Sequence, residues 1–149
     1  MVFNALSLKG RALRLLGQRE HSRAELERKL APHVQEGEDL DAVLRELEAK
    51  GFIDAARVVD SVLHQNTARW GTGRLRQALR AKGIDPEAVQ AALAPLQDSE
   101  LDRARALWLR KFGTPPTEAK ERARQMRFLA ARGFSGEVVR RVLQGTDGD

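Results

Sequence analysis

Apolar residues recur at three- and four-residue spacings along the whole chain, and no stretch alternates apolar with polar positions as a half-buried strand would. The pattern predicts an all-α protein. Leu6, Leu13 and Leu16 fall on one face of an opening helix. Ser22, with Glu25 three residues on, is a capping box: hydroxyl and carboxylate each satisfy a backbone N–H that the helix start leaves free. The helix it opens turns Leu26 and Leu30 inward and ends before Pro32. Leu40, Val43, Leu44 and Leu47 mark a third helix, closed by Gly51 where a left-handed C-cap favours glycine.

The same grammar then repeats. Asp54 caps a helix presenting Ala55, Val59, Val62 and Leu63, and Trp70-Gly-Thr-Gly73 breaks the chain. Leu75 and Leu79 define the next helix, up to Gly83. Asp85-Pro86-Glu87 combines an N-cap side chain, proline at the first helical position and an acid favoured by the helix dipole. The short helix that follows carries Val89 and Leu93 and ends near Pro95. A third set opens with Leu101, Ala104, Trp108 and Phe112 on one stripe. It passes a Thr114-Pro-Pro-Thr117 loop, continues as a long helix to Arg132 and Gly133, and closes with a Ser135-capped helix bearing Val138, Val139, Val142 and Leu143.

Shifting the second set by fifty positions places Leu79 on Leu129, Lys82 on Arg132, Gly83 on Gly133 and Ile84 on Phe134. It also places Asp85 on Ser135, Glu87 on Glu137, Val89 on Val139 and Leu93 on Leu143. The first set matches more loosely, Leu26 and Leu30 falling against Leu75 and Leu79. The expectation is therefore three tandem three-helix repeats, residues 1–51, 52–97 and 98–145, with a frayed tail at 146–149. Such repeats contact mainly their neighbours, which predicts an elongated, curved array with three small cores.

Charge sharpens this picture. Residues 1–51 carry nine basic and nine acidic groups, residues 52–102 six and seven, and residues 103–149 eleven and five. The net +5 is thus concentrated in the last third, which suits a polyanionic partner. The chain has no cysteine, so it has neither a disulfide framework nor a thiolate metal site. It also lacks the tripartite start of a secretory signal and any apolar run long enough to span a bilayer. These features predict a protein of the reducing cytoplasm with no membrane contact.

Catalytic chemistry is not evident. His21, His33 and His64 are not spaced as helical metal ligands and are expected in surface or capping roles. Glu36, Glu38, Asp39 and Asp41 lie in a loop and a first helical turn, where the dipole alone favours acids. Gly71-Thr-Gly73 lacks the remainder of a phosphate-loop motif and reads as a turn that starts a helix. The expectation is a binding protein, not an enzyme, with no metal and no cofactor.

Basic side chains are the candidate contacts. No acid occurs between Asp60 and Asp85, whereas Arg69, Arg74, Arg76, Arg80 and Lys82 do, with Trp70 just ahead of most of them. Lys120, Arg124 and Arg127 share a stripe opposite Ala119, Ala123 and Met126. Two readings stand side by side here: faces that track a phosphate backbone, or ordinary solvated helix surface. For Trp70 the alternatives are a core anchor or loop plug and a platform for stacking bases.

Four blocks resemble the bacterial RecX family, in its order and spacing from about Leu13 to Leu143. They are Arg19-Glu-His-Ser-Arg-Ala-Glu-Leu-Glu-Arg-Lys-Leu30, Gly51-Phe-Ile-Asp54, Gly71-Thr-Gly-Arg-Leu-Arg-Gln-Ala-Leu-Arg-Ala-Lys-Gly-Ile84 and Arg127-Phe-Leu-Ala-Ala-Arg-Gly-Phe134. The resemblance implies three tandem three-helix repeats and a cytoplasmic regulator of the RecA recombinase. Such a protein docks on the RecA–DNA filament and limits its ATP hydrolysis, strand exchange and coprotease activity, thereby modulating recombination, DNA repair and the SOS response. Some members of the family also bind DNA directly, and the expectation for this chain is contact with single- or double-stranded DNA without sequence preference, by a monomer. The family usually has Arg and then an aromatic residue after the aspartate matching Asp54; here Arg57 is present but Val58 and Val59 follow. Arg57 and Arg132 join the basic residues above as candidate partner contacts. The alternative function is a stand-alone helix-turn-helix DNA-binding protein, with Leu75–Lys82 and Pro86–Ala94 as its two helices.

Overall fold

A computed structural model describes residues 6–144, and all regular structure among them is helical. The first three helices are α1 (Leu8–Gln18), α2 (Arg23–Leu30) and α3 (Leu40–Ala49), followed by α4 (Ala55–Asn66), α5 (Thr72–Ala81) and α6 (Pro86–Leu93). The last three are α7 (Gln97–Lys111), α8 (Ala119–Ala131) and α9 (Gly136–Gln144). Short 3-10 turns at Ala31–His33 and Ala94–Leu96 follow α2 and α6, each with its proline at the second place. Two compact units are distinguishable. One holds the chain through Ser61 with Ala81–Ile84; the other holds Val62–Arg80 and the chain from Asp85 onward. The tail expected to fray, 146–149, lies outside the described residues.

Caps set most of the boundaries. Ser7 Oγ accepts from the Gly10 amide at 3.0 Å and starts α1, so Leu6 precedes the helix and is 45 % exposed. The buried stripe of α1 is Leu8 and Ala12, with Leu13 and Leu16 only partly covered, which corrects the face expected from Leu6. The capping box of α2 is complete: the Glu25 amide donates to Ser22 Oγ at 3.1 Å and the Ser22 amide to Glu25 Oε1 at 3.0 Å. Asp54 accepts from the Ala56 amide at 2.9 Å, and Ser135 from the Val138 amide at 3.2 Å. Each such cap is worth about 1 kcal/mol. Asp85 differs: it occupies the N-cap position of α6 but makes no side-chain cap, so Pro86 at the first turn starts that helix.

In the first unit Leu8, Ala12, Leu26, Leu30, Leu44, Leu47 and Ile53 form one core cluster. In the second, Ala104, Leu107, Trp108, Leu129, Phe134, Val139, Val142 and Leu143 form another. Leu26, Leu30, Leu44, Leu47, Leu75, Leu79, Leu129 and Leu143 are each less than 2 % exposed. Each contributes roughly 1.5–3 kcal/mol of transfer free energy. The repeat superposition extends to burial: Leu79 and Leu129, Ile84 and Phe134, Val89 and Val139, and Leu93 and Leu143 are all buried. On α8 the expected apolar stripe is displaced. Met126 is exposed, whereas Gln125 and Leu129 face inward, because the Trp108 Nε1–H donates to Gln125 Oε1 at 2.7 Å. A buried indole N–H needs such an acceptor, and that need sets the rotation of the helix.

Candidate functional site

The basic cluster that the sequence groups between Arg69 and Lys82 is divided by the fold into three parts. Chain direction at the first part is set by Arg103 of α7, which reaches into the segment between α4 and α5. Its Nη1 donates to the carbonyls of Thr67 at 2.8 Å and Trp70 at 2.7 Å, and its Nη2 to that of Leu96 at 3.3 Å. Burial lowers its pKa from the usual arginine range, opposed by nearby Glu100. Glu100 itself accepts from Thr72 Oγ1 at 3.1 Å and from the Thr72 amide at 3.3 Å, so α7 fixes the start of α5 from two sides.

Held in this way, Trp70 lies at the surface, half-buried, between two guanidiniums: Arg74 is 4.5 Å and Arg69 5.0 Å from its ring centroid. Each such cation–π contact is worth about 0.5–1 kcal/mol at an exposed site. Arg69 is further fixed by Asn66 Oδ1, at 3.0 Å from its Nε and 2.6 Å from its Nη2. The core tryptophan is Trp108, not Trp70.

Arg76 and Arg80 form the second part. They share a face of α5 one turn apart and line a cleft with Val89, Gln90, Leu93 and Gln97. Neither has an acidic partner among the described residues. The third part is Lys82, which is directed into the first unit, where its Nζ meets Glu25 Oε1 at 3.1 Å. Arg57 is similarly occupied: it pairs with Glu20 at 2.8 Å and donates to the Gly51 carbonyl at 2.7 Å. Where an aromatic would follow it, Val58 and Val59 are buried.

On α8, Lys120, Arg124 and Arg127 are exposed together, as their spacing predicts. Arg124 pairs with Glu121 at 3.2 Å and lies 5.5 Å over the Phe112 ring. Sequence spacing missed what lies beside them. Phe112 and Phe128 meet edge to face, 5.3 Å between centroids, and Phe128 carries Arg132 at 4.8 Å and Lys111 at 5.5 Å. Sixteen residues separate the two rings in sequence, so no local pattern signals the pair.

A backbone junction holds these surfaces in register. The Gly71 amide donates to the Arg132 carbonyl at 2.8 Å and the Gly73 amide to the Gly133 carbonyl at 3.0 Å. A Cβ on Gly71 would sit 2.5 Å from the Gly133 oxygen and 2.6 Å from the Phe134 nitrogen. The Gly71-Thr-Gly73 string is therefore more than a helix-starting turn: it lets the start of α5 touch the end of α8 through main chain. The surface so assembled offers guanidiniums beside partly exposed aromatic rings, a chemistry suited to phosphates and stacked bases. No helix among the described residues is long and apolar enough to cross a membrane.

Three family models match in order: the first three-helix domain of RecX over residues 9–52, the second over 57–93 and the third over 98–143. The chain is 54% identical over 142 residues to a protein of Leptothrix cholodnii named "Regulatory protein RecX", covering 95% of this chain and 90% of that one. A protein of the same name from Chromobacterium violaceum is 41% identical over 145 residues, 97% of this chain and 94% of the other. Among solved structures, that of RecX from Lactobacillus salivarius superposes with a TM-score of 0.76 at 18% identity, covering 94% of both chains, a likeness of fold.

Proposed function

The chain belongs to the RecX family of regulatory proteins, and on that premise we propose that it binds the RecA–DNA filament and restrains RecA. In this reading it lowers RecA's ATP hydrolysis, strand exchange and coprotease activity, and so modulates recombination, DNA repair and the SOS response. It acts by occupying the filament, without catalysis and without a cofactor, as a cytoplasmic monomer. The observation that carries the proposal is the ordered match of all three family domains across residues 9–143.

Physical support comes from the second unit. Arg76 and Arg80 on α5, and Lys120 and Arg127 on α8, lack acidic partners among the described residues and so remain available to phosphates. Because the Gly71–Arg132 and Gly73–Gly133 bonds fix α5 against the end of α8, both faces can engage one partner with little further ordering cost. Contacts of this kind read backbone charge and not sequence.

The test is RecA-dependent ATP hydrolysis on single-stranded DNA with this protein titrated in, with and without excess free DNA. The expected outcome is inhibition that persists when free DNA is added. Full ATPase activity at several-fold excess of this protein over filament sites overturns the reading. Tight, sequence-selective DNA binding without RecA would instead favour the helix-turn-helix alternative, for which α6 supplies only Glu87 and Gln90 among alanines.

A further inference from the structure

By composition the first repeat offers a partner no excess of charge, since its nine basic and nine acidic groups cancel. The structure shows that they do not cancel evenly. Lys9 and Lys50 pair with Glu46, Arg23 with Asp41 and Glu48, Arg45 with Asp41, and Arg19 with Glu25. Arg28 donates to the Ala81 carbonyl at 3.1 Å. Among the described residues the basic groups of this repeat left without an acid or a carbonyl partner are Arg11, Arg14 and Lys29, and all three line a single cleft.

That cleft lies between α1 and the end of α2. Leu15 and Leu30 supply apolar lining, and Arg11, Arg14, Lys29 and His33 surround it, with no acidic side chain in the lining. Lys29 is held in place from behind by the buried ring of His21, whose Nε2 is 3.0 Å from its Nζ and whose Nδ1 is 3.0 Å from the Arg19 carbonyl. The adjoining recess, which shares Arg11 and His33, contains Glu38, but that carboxylate accepts from the Gln35 amide at 2.8 Å.

We propose that this cleft is a protein-recognition site for an acidic segment carrying a branched apolar side chain, with the leucine lining taking the side chain and Arg11, Arg14 and Lys29 taking carboxylates. Charge complementarity names the acidic part, because a repeat that gives its other cations carboxylate or carbonyl partners leaves these three together without an acid among the described residues. The apolar lining selects peptide over nucleic acid. No phenyl or indole ring lines the cleft to stack a base, the imidazole of His33 being its only ring among the described residues, and a phosphate bound at the rim would leave the leucines in water. A short amphipathic segment satisfies both demands at once, in the manner of helices that anchor through apolar residues in charged grooves. The site goes beyond the polyanion contacts of the second unit, because it lies in the other unit and recognises protein.

The experiment uses the full chain and a fluorescein-labelled peptide in which leucines recur at helical spacing among Asp and Glu, read by fluorescence anisotropy. Saturable binding is expected. It should weaken roughly tenfold with Arg11→Glu/Arg14→Glu, roughly tenfold when the peptide leucines become serine, and not with Arg76→Ala/Arg80→Ala. Arg14→Glu alone, at an exposed position, serves as a second variant should the double change disturb folding; it should weaken binding severalfold at an unchanged melting temperature. Three results overturn the proposal: no saturable peptide binding, indifference to the leucine-to-serine change, or an oligothymidylate of equal length taking the peptide's place with the same sensitivity at Arg11 and Arg14. RecA inhibition is scored separately, so failure of this site and failure of the filament reading are distinguishable.

Discussion

The glycine that ends the second helix of repeats two and three stands at equivalent places, Gly83 and Gly133, yet the two junctions rest on different physics. Both have positive φ, +74° and +94°, and both face a residue fifty-nine positions earlier, Ala24 and Arg74. At Gly83 the nearest neighbour is a methyl group, and the contact is reinforced by charge: Lys82 reaches Glu25, which Arg19 also holds at 2.7 Å. At Gly133 the neighbour includes the backbone of Arg74, and the contact is made of main-chain hydrogen bonds from Gly71 and Gly73. The difference decides what remains for function. Lys82 is absorbed by its junction. Its repeat mate Arg132 has Leu75 fifty places after Glu25, so no acid among the described residues claims it, and it lies over Phe128 at the surface.

The largest expected effect follows from breaking the backbone junction. Gly71→Val should cost roughly 3 kcal/mol or more in urea unfolding, since the new side chain collides with main chain that cannot rotate away and displaces two hydrogen bonds. Gly83→Ala should cost only about 1–2 kcal/mol, mostly for its left-handed backbone, because the clash is with the Ala24 methyl. Adding Ala24→Gly should recover the steric share at Gly83. Equal losses for Gly71→Val and Gly83→Ala would erase the distinction between the junctions.

Next in size is the charged junction. Burial pushes the Glu25 carboxyl upward, but hydrogen bonds from Arg19, the Ser22 amide and Lys82 outweigh it and hold the pKa at about 2, against an ordinary 4.5. With the folded value below the unfolded one, the unfolded chain takes up the proton first. The resulting stability is complete above about pH 4.5 and is lost as pH falls toward 2. Glu25→Gln should therefore cost on the order of 2 kcal/mol at pH 7, and the gap from the unaltered protein should narrow at low pH. A gap of constant size across that range would show that the carboxylate's charge is irrelevant. His21 acts in the same direction at higher pH. Burial lowers its pKa, so the unfolded state gains the proton first and stability begins to fall below about pH 6.5. His21→Gln should flatten the melting temperature between pH 7.5 and 5.5, values chosen about one unit either side of that point.

The smallest effect on stability belongs to the open surface. Arg76→Ala with Arg80→Ala should leave the melting temperature nearly unchanged, while weakening association with DNA or filament and lowering the slope of log affinity against log salt by about two. An unchanged salt slope would assign both residues to solvated surface.

Much of the fold was legible because helices announce themselves locally. The Ser22–Glu25 box, the Asp54 and Ser135 caps and the positive-φ glycines can be read within a few residues of one another, and the fifty-residue superposition carries over to burial. What was misread concerns rotation and partnership. Leu6 and Met126 fit an apolar stripe by spacing, but the Ser7 cap and the Trp108–Gln125 bond turn each away from the core. His21, expected in a surface or capping role, is buried against Lys29. Among the basic residues, spacing could not separate Arg57 and Lys82, which meet Glu20 and Glu25 across thirty-seven and fifty-seven positions, from Arg76 and Arg80, which meet no acid among the described residues.

The sequence by itself therefore determined the helices, their three-fold repetition and the family, since capping, periodicity and motif order are short-range properties of the chain. Which cations remain available, and the leucine-lined cleft of the first repeat, were decided only by the tertiary structure. Ion pairs and main-chain junctions depend on contacts between residues far apart in sequence, and a count of charges along the chain carries no information about which of them meet.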